Sequence, residues 1–381
     1  MADAPYDVVI AGLGAMGSSA ALHLARRGVR VLALDRYAPP HDHGSSHGKT
    51  RLIREAYFEA PLYVPLVRRA YELWHQLSAE IGSPLIQPCG ALMIGTPDSA
   101  VIAGTLESAR HHAVPHERLD AQEIHRRFPP FTPLDDMIGV HEPGAGLLEP
   151  ERVIALHLEL ATRSGAALMY GCRLERWESA DGGVTIYTDQ GSFSAHQLVL
   201  ACGAWVPGLL PQLPLEVERQ VLHWWIPART PEAFRADRMP ASLWSLHDGT
   251  MFYTMPDTGH GLKTGWHHHG ERADPDAVDR TVSRAEHAAM TDLLRRFVPA
   301  GKGTRRESQV CLYTNTPDQH FLIDRLPGEP RVLAVSACSG HGFKFSSVIG
   351  EVVADLVTTG MCAFDLSPFR LSRFGRQPID A

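Results

Sequence analysis

Residues 6–35 read YDVVIAGLGAMGSSAALHLARRGVRVLALD, and this stretch decides the fold. Tyr6-Asp7-Val8-Val9-Ile10-Ala11 is a short apolar run that predicts a buried strand. Gly12-Leu13-Gly14-Ala15-Met16-Gly17 follows at once. Residues 18–27 predict a helix with Leu22, Leu24 and Ala25 apolar and Gly28 as its stop. Residues 29–34 predict a second strand that ends at Asp35. Strand, G-x-G-x-x-G, helix, strand and acid in that order mark a dinucleotide fold. Gly12 allows the tight turn, Gly14 lets backbone approach a pyrophosphate, and Gly17 lets helix and strand pack closely. The helix N-terminus offers N–H groups and partial positive charge to phosphates. The expected contacts are Gly12, Gly14, Ala15, Met16, Gly17, Asp35 and Arg36, with Asp35 accepting from a ribose. The motif does not separate FAD from NAD.

Composition narrows the class. The chain has 381 residues and 41.9 kDa, enough for two or three domains or one large α/β unit. Hydrophobic residues are 44% and charged residues 21%, which excludes wholesale disorder. A net charge of −7 argues against a nucleic-acid binder. The six cysteines are too scattered for a disulfide framework, and none forms a C-x-x-C pair for zinc. That usage fits a reducing, cytoplasmic compartment. The apolar run 8–25 carries Asp7 before it and Gly12, Gly14 and Gly17 within it, so neither an export signal nor a membrane span is expected.

Outward from the first motif, the dinucleotide pieces recur in three separated segments. Leu66, Ala70, Leu73, Trp74, Leu77 and Ile81 lie at helical spacing and end at Gly82. Residues 151–164 predict a helix, 184–188 and 192–195 a hairpin, and 198–201 a buried strand. Residues 332–336 and 345–359 predict a last strand and helix. The expected class is α/β. Residues 1–85, 145–215 and 318–381 form a discontinuous Rossmann-like domain, and 86–144 and 216–317 an α+β substrate domain on a mixed or antiparallel sheet.

Four constellations can carry chemistry. Arg51 and Arg54 would share a face if helical, and a guanidinium pair suits an oxyanion; a solvated basic loop is the alternative. No metal site is expected from His41, His43 and His47. Lys263, between Gly261-Leu262 and Thr264-Gly265, is either an edge residue or a buried functional cation. Cys311, read alone, is a buried structural thiol. Ser339-Gly340-His341-Gly342-Phe343-Lys344 is a glycine-rich turn opening the last helix, with Lys344 adding a cation.

Together these segments resemble the monomeric sarcosine oxidase and N-methyltryptophan oxidase family of flavoenzymes, nearly end to end. The resemblance rests on Gly12 to Gly17, the run from Gly44 to Arg54, Ala201-Cys202-Gly203-Ala204-Trp205, Gly261-Leu262-Lys263, Cys311-Leu312-Tyr313, Pro317-Asp318 and Ser339 to Ser346. Residues 364–374 look most like the N-methyltryptophan oxidase branch. The resemblance implies FAD, linked covalently through Cys311, and oxidation of a secondary amino acid by hydride transfer. Dioxygen then yields hydrogen peroxide, and the imine hydrolyses to amine and aldehyde, formaldehyde for N-methyl substrates. It implies Arg54 and Lys344 as the carboxylate clamp and Lys263 as the oxygen-activating cation. It places Arg51 and His47 against the flavin, Tyr253, Tyr313 and His267 near substrate, and Gly340, His341, Gly342 and Phe343 beside the ring.

This sequence departs from the family at Ser46, where a histidine is common, at Lys49, where Asp is common, and at Phe58-Glu59-Ala60, where Gly-Glu-Gly is common. The last change touches a loop that gates the pocket. His223-Trp224-Trp225, Trp244 and Met251-Phe252 line a pocket for a bulky side chain or belong to the core. A dehydrogenase using another electron acceptor is the alternative function. The expected partners are a small secondary amino acid and dioxygen, with no nucleic acid, no membrane and a monomeric chain.

Overall fold

The computed structural model describes residues 6–180 and 182–375. Strand Tyr6–Ala11 sits inside a sheet of eight strands, parallel to Val31–Asp35 on one side and Gly191–Leu200 on the other. Its alternation divides two cores. Val8 and Ile10 share one core with the helices Ala15–Arg26, Pro150–Arg163 and Ser346–Thr358. Val9 and Ala11 share the other with Leu174, Val184 and Ile186 of the neighbouring antiparallel strands.

The first helix starts at Ala15, three residues before the sequence expectation, because the glycine turn is only three residues long. The second strand starts at Val31, after Gly28 ends the helix in the left-handed region at φ 76°. The hairpin is present, but its second strand and the expected strand at 198–201 are one element, Gly191–Leu200. Its first half pairs with Gly183–Thr188 and its second half with Glu329–Ser336. The N-terminal, middle and C-terminal segments therefore meet in one sheet.

A second sheet of nine strands is built around the twelve-residue strand Glu216–Pro227. Gly303–Asn315 flanks it on one edge and Leu262–His267 on the other. Every pairing in this sheet is antiparallel except Ala241–Ser245 with Ala91–Gly95. Pairing partners point to the same face, so Cys311, opposite Gln220, and Lys263, opposite Trp224, lie on one face with Leu222. On the opposite face Trp225, Trp244 and Phe252 pack under the helix Arg284–Phe297. Trp244 stacks on Phe252 at 5.4 Å. None of the residues His223, Trp224, Trp225, Trp244, Met251 and Phe252 lines the cavity described below, so the core reading of that segment holds.

Arg51–Ile53 is a short strand, in a small sheet with Gly146–Leu148 and Ile86–Pro88. The arginine pair therefore does not share a helix face as expected: Arg51 lies on the strand and Arg54 just beyond it. Among the described residues no helix is long and apolar enough to cross a membrane.

Candidate active site

One cavity of about 560 Å³ runs from the glycine turn to the second sheet. Gly12, Gly14, Ala15, Met16, Asp35 and Arg36 line it from the first sheet. Gly12 has φ 93°, and a Cβ there would lie 2.4 Å from the Ala201 carbonyl oxygen, so only glycine fits. Gly14 gives the helix behind it no cap of its own and the first turn holds no acid; the Ala15 N–H donates to Ser46 Oγ at 3.2 Å, and the positive end faces the cavity. Asp35 accepts from the N–H groups of Leu13 and Tyr37, both at 2.8 Å, so it braces the glycine turn as well as facing the cavity. Arg36 is paired with Asp276 at 2.7 Å. Gly17 does not line the cavity; it packs against the Gly12 carbonyl, the close helix–strand contact expected of it.

From the second sheet come Cys311, Tyr313, Tyr253, Lys263 and His267. Lys263 is 2% exposed, which excludes an edge residue. Its Nζ donates to the carbonyls of Gly48 and Thr50 at 2.7 and 2.8 Å. An ammonium has three N–H donors, so one is left for the cavity. Burial, then the charge of Arg51, holds this lysine well below its ordinary pKa. The loop that holds it is itself held: Gly48 and Lys49, both left-handed, present their N–H groups to Glu151 at 2.7 and 3.0 Å. Glu151 escaped the sequence reading. Its one signal is an acid in the first turn of a helix opened by Pro150.

Cys311 is buried beside Arg51, whose Nη2 lies 3.6 Å from Sγ. Burial pushes the thiol up, but His47, Arg51 and Lys263 outweigh it and bring its pKa down to about 7. His47 is buried but does not line the cavity; its Nδ1 lies 3.3 Å from Gln309 Oε1. His267 Nδ1 is 3.3 Å from Tyr313 Oη, and burial keeps this imidazole neutral at pH 7.

The third group comes from the bend after the strand Arg51–Ile53 and from the last turn. Arg54 and Lys344 both line the cavity. Arg54 Nη1 donates to the Ala56 carbonyl at 2.5 Å, and Nη2 binds Glu59 at 2.8 Å. These side chains are 4% and 11% exposed. Glu142, also missed from sequence, accepts from the N–H groups of Glu55 and Ala56 and so fixes the bend after Arg54. Lys344 Nζ donates to the His341 carbonyl at 2.8 Å and to Tyr57 Oη at 3.3 Å. Burial, then Arg54, lowers its pKa to about 7. Gly340, His341, Gly342 and Phe343 line the cavity, but the His341 ring turns away to Tyr57 Oη at 2.6 Å and the Gln319 carbonyl at 3.0 Å.

A site with the positive end of a helix, two buried cations at another wall, and a low-pKa thiol suits an anionic cofactor and an anionic substrate together. Comparison with known proteins agrees. A family model described as FAD dependent oxidoreductase matches residues 7–356. Monomeric sarcosine oxidase of Streptomyces avermitilis is 43% identical over 98% of this chain and 99% of its own. N-methyl-L-tryptophan oxidase of Salmonella arizonae is 38% identical over 97% and 100%. Among solved structures, NikD, an amino acid oxidase of nikkomycin biosynthesis, superposes with a TM-score of 0.85 at 25% identity over 96% and 97%. L-proline dehydrogenase of P. horikoshii shares the fold, with a TM-score of 0.84 at 21% identity over 98% of each chain. The chain belongs to the FAD dependent oxidoreductases, in the group of monomeric sarcosine oxidase and N-methyl-L-tryptophan oxidase.

Proposed function

We propose that this chain is a flavin-dependent oxidase of N-methyl or other secondary amino acids. The single observation that carries the reading is one cavity shared by the dinucleotide turn, the cations Arg54 and Lys344, and the trio Cys311, Arg51 and Lys263. The residues fit FAD. Ser45 Oγ and Thr50 Oγ1 belong to cavity-lining residues and are buried without a protein partner, and the helix start, with no acid in its first turn, suits a pyrophosphate. FAD bound there supplies a two-electron acceptor that takes a hydride from the carbon next to the substrate nitrogen and passes the electrons to dioxygen, giving hydrogen peroxide and an imine that hydrolyses in water.

The chain's own groups do the rest. Arg54 and Lys344 bind the substrate carboxylate, and Glu59 competes with it for Arg54 Nη2. Neutral His267 and Tyr313 wall the pocket without competing for that carboxylate. Lys263 offers its third N–H where negative charge develops on oxygen, in a site already desolvated. Cys311 is the tether to the cofactor, and its thiolate is available near neutral pH. Residues 1–85, 145–215 and 318–381 act as the cofactor unit, and 86–144 and 216–317 as the substrate unit. The protein acts as a cytoplasmic monomer.

The test is anaerobic titration of the holoenzyme with sarcosine, N-methyltryptophan, pipecolate and proline, followed by peroxide yield in air. Bleaching of flavin absorbance by a secondary amino acid and one peroxide per turnover are expected. Bleaching without peroxide would convert the enzyme to a dehydrogenase, and no bleaching by any of them refutes the reading.

A further inference from the structure

Asp276 lines the cavity, yet it comes from outside the sheet that holds the glycine turn. It lies in residues 273–283, which carry no helix or strand and join Glu271–Arg272 of the second sheet to the helix Arg284–Phe297. Both ends of this segment are anchored on the strand Glu216–Pro227. The Ala273 N–H donates to the Val217 carbonyl at 2.9 Å. Arg219, 7% exposed, donates from its guanidinium to the carbonyls of Asp279 and Thr281 at 2.7 and 2.8 Å.

Between those anchors the segment crosses to the first sheet. Asp276 Oδ1 accepts from Arg36 Nη1 at 2.7 Å and from the Trp205 indole Nε1 at 2.8 Å. The Arg36 guanidinium stands 5.0 Å from the Tyr37 ring centre and 5.1 Å from that of Trp205. Arg280 donates to the carbonyls of Asp42 and His43 at 3.1 and 2.6 Å, in the loop after Val31–Asp35. A longer bond, to the Val310 carbonyl at 3.4 Å, ties the same guanidinium to the second sheet. The Asp276 side chain is 56% exposed, so the crossing is at the mouth of the cavity and not in its depth. Ala273 and Val278 pack against the small cluster of Ala204, Val217 and Leu312. A tip held largely by exposed polar contacts between anchored ends opens far more readily than the core around it.

We infer that residues 274–280 are a strap over the adenosine end of the cofactor, latched by Asp276 and Arg280, and that these latches set how fast FAD enters and leaves. The glycine turn suits the pyrophosphate and Asp35 the ribose, so Arg36, next in the chain, belongs to the adenosine end. Cys311 and Lys263 stand at the opposite, flavin end of the same cavity. Each latch contact joins two groups of the chain itself. Opening the strap therefore has the same cost with FAD beneath it or without. Weaker latches speed entry and exit by one common factor and leave the dissociation constant in place. A residue that merely touched the cofactor would change the exit rate and the affinity together, with entry unaltered.

The inference rests on FAD lying in this cavity with its ribose at Asp35. The background for the test is full-length Cys311→Ala chain, which holds FAD without a tether. Apoprotein from a riboflavin-limited host would be mixed with FAD to give the entry rate, and loaded protein diluted to give the exit rate, both followed by flavin fluorescence. Arg280→Met in that background is expected to raise both rates by about tenfold. Asp276→Asn, which keeps the shape and loses the ion pair, is expected to raise both by about two- to fivefold. The dissociation constant is expected to stay at the parent value in each. Arg280→Lys, which keeps a charged donor, is expected to bring the rates back toward the parent. Two latches at separate positions cover the case in which one variant fails to fold. Unchanged rates in the folded variants, or faster exit without faster entry, overturn the strap and leave the FAD reading standing. A parent chain that folds but takes up no FAD overturns that reading and the strap with it.

Discussion

Glu59→Gln is expected to tighten the binding of simple carboxylates, because wild-type Glu59 already occupies the guanidinium that a substrate needs. The contact is one charge-assisted hydrogen bond, Arg54 Nη2 to Glu59 Oε2 at 2.8 Å, with both side chains nearly dry. Such a bond contributes about 1.5–3 kcal/mol. A carboxylate that takes up Nη2 replaces this bond rather than adding to it, so the free-state pair subtracts from affinity. Glutamine keeps the shape and an acceptor but drops the charge, which removes about half of that competition. Binding should tighten by about 0.75–1.5 kcal/mol, which lowers the dissociation constant by about three- to twelvefold. The same change leaves a buried guanidinium less compensated, so the ligand-free variant should melt at a lower temperature. Saturating carboxylate should restore it. The assay is titration of the holoenzyme with acetate or benzoate, read from the flavin absorbance, with melting curves in parallel. Burial pushes Glu59 up, but Arg54, His341 and Lys344 outweigh it and hold its carboxyl below the ordinary value. The pair is therefore intact above the ordinary carboxylate range and lost only as pH falls through the depressed value, so the ratio of affinities should be flat around neutrality. If the variant binds carboxylates no better than wild type, Glu59 does not compete for Arg54 and the gate argument is wrong.

Three further outcomes are expected. Lys263→Met should slow flavin reoxidation by dioxygen by about 10²–10³ while leaving flavin reduction nearly unchanged, measured by separate stopped-flow half-reactions; equal slowing of both would remove the assigned role. Lys344, with a pKa brought to about 7, holds its charge below that value and loses it above; carboxylate affinity should weaken as pH rises through neutrality, by up to about tenfold per unit, and Lys344→Met should flatten that profile. Gly17→Ala places a Cβ 1.8 Å from the Gly12 carbonyl oxygen; the variant should lose FAD content and about 1–3 kcal/mol or more of stability by thermal melt, and a normally loaded, normally stable variant would mean that helix and strand can part.

Much of the fold was legible because it rests on local rules. The run of Val8, Val9 and Ile10, the glycines at 12, 14 and 17, and the stop at Gly28 each satisfy a requirement of backbone or periodicity within a few residues. Where the reading slipped, tertiary pairing was the reason. Residues 191–200 look like two strands, since a polar hairpin half precedes a buried half, yet the chain runs on from its pairing with Gly183–Thr188 into its pairing with Tyr6–Ala11 as one element. Arg51 and Arg54 have helical spacing but sit on and beside a strand, because Leu147 and Leu148 pair with Leu52 and Arg51.

The sequence by itself determined the dinucleotide turn, the α/β class and the types of residue that carry the chemistry, since each of these follows from dihedral demands and side-chain periods over short spans. Only the tertiary structure decided which carboxylate Arg54 holds, which carbonyls Lys263 grips from 213 and 215 positions away, and which nitrogen of His47 stays bare. Those choices depend on strand register and on the exclusion of water, and both arise only when distant segments close on one another.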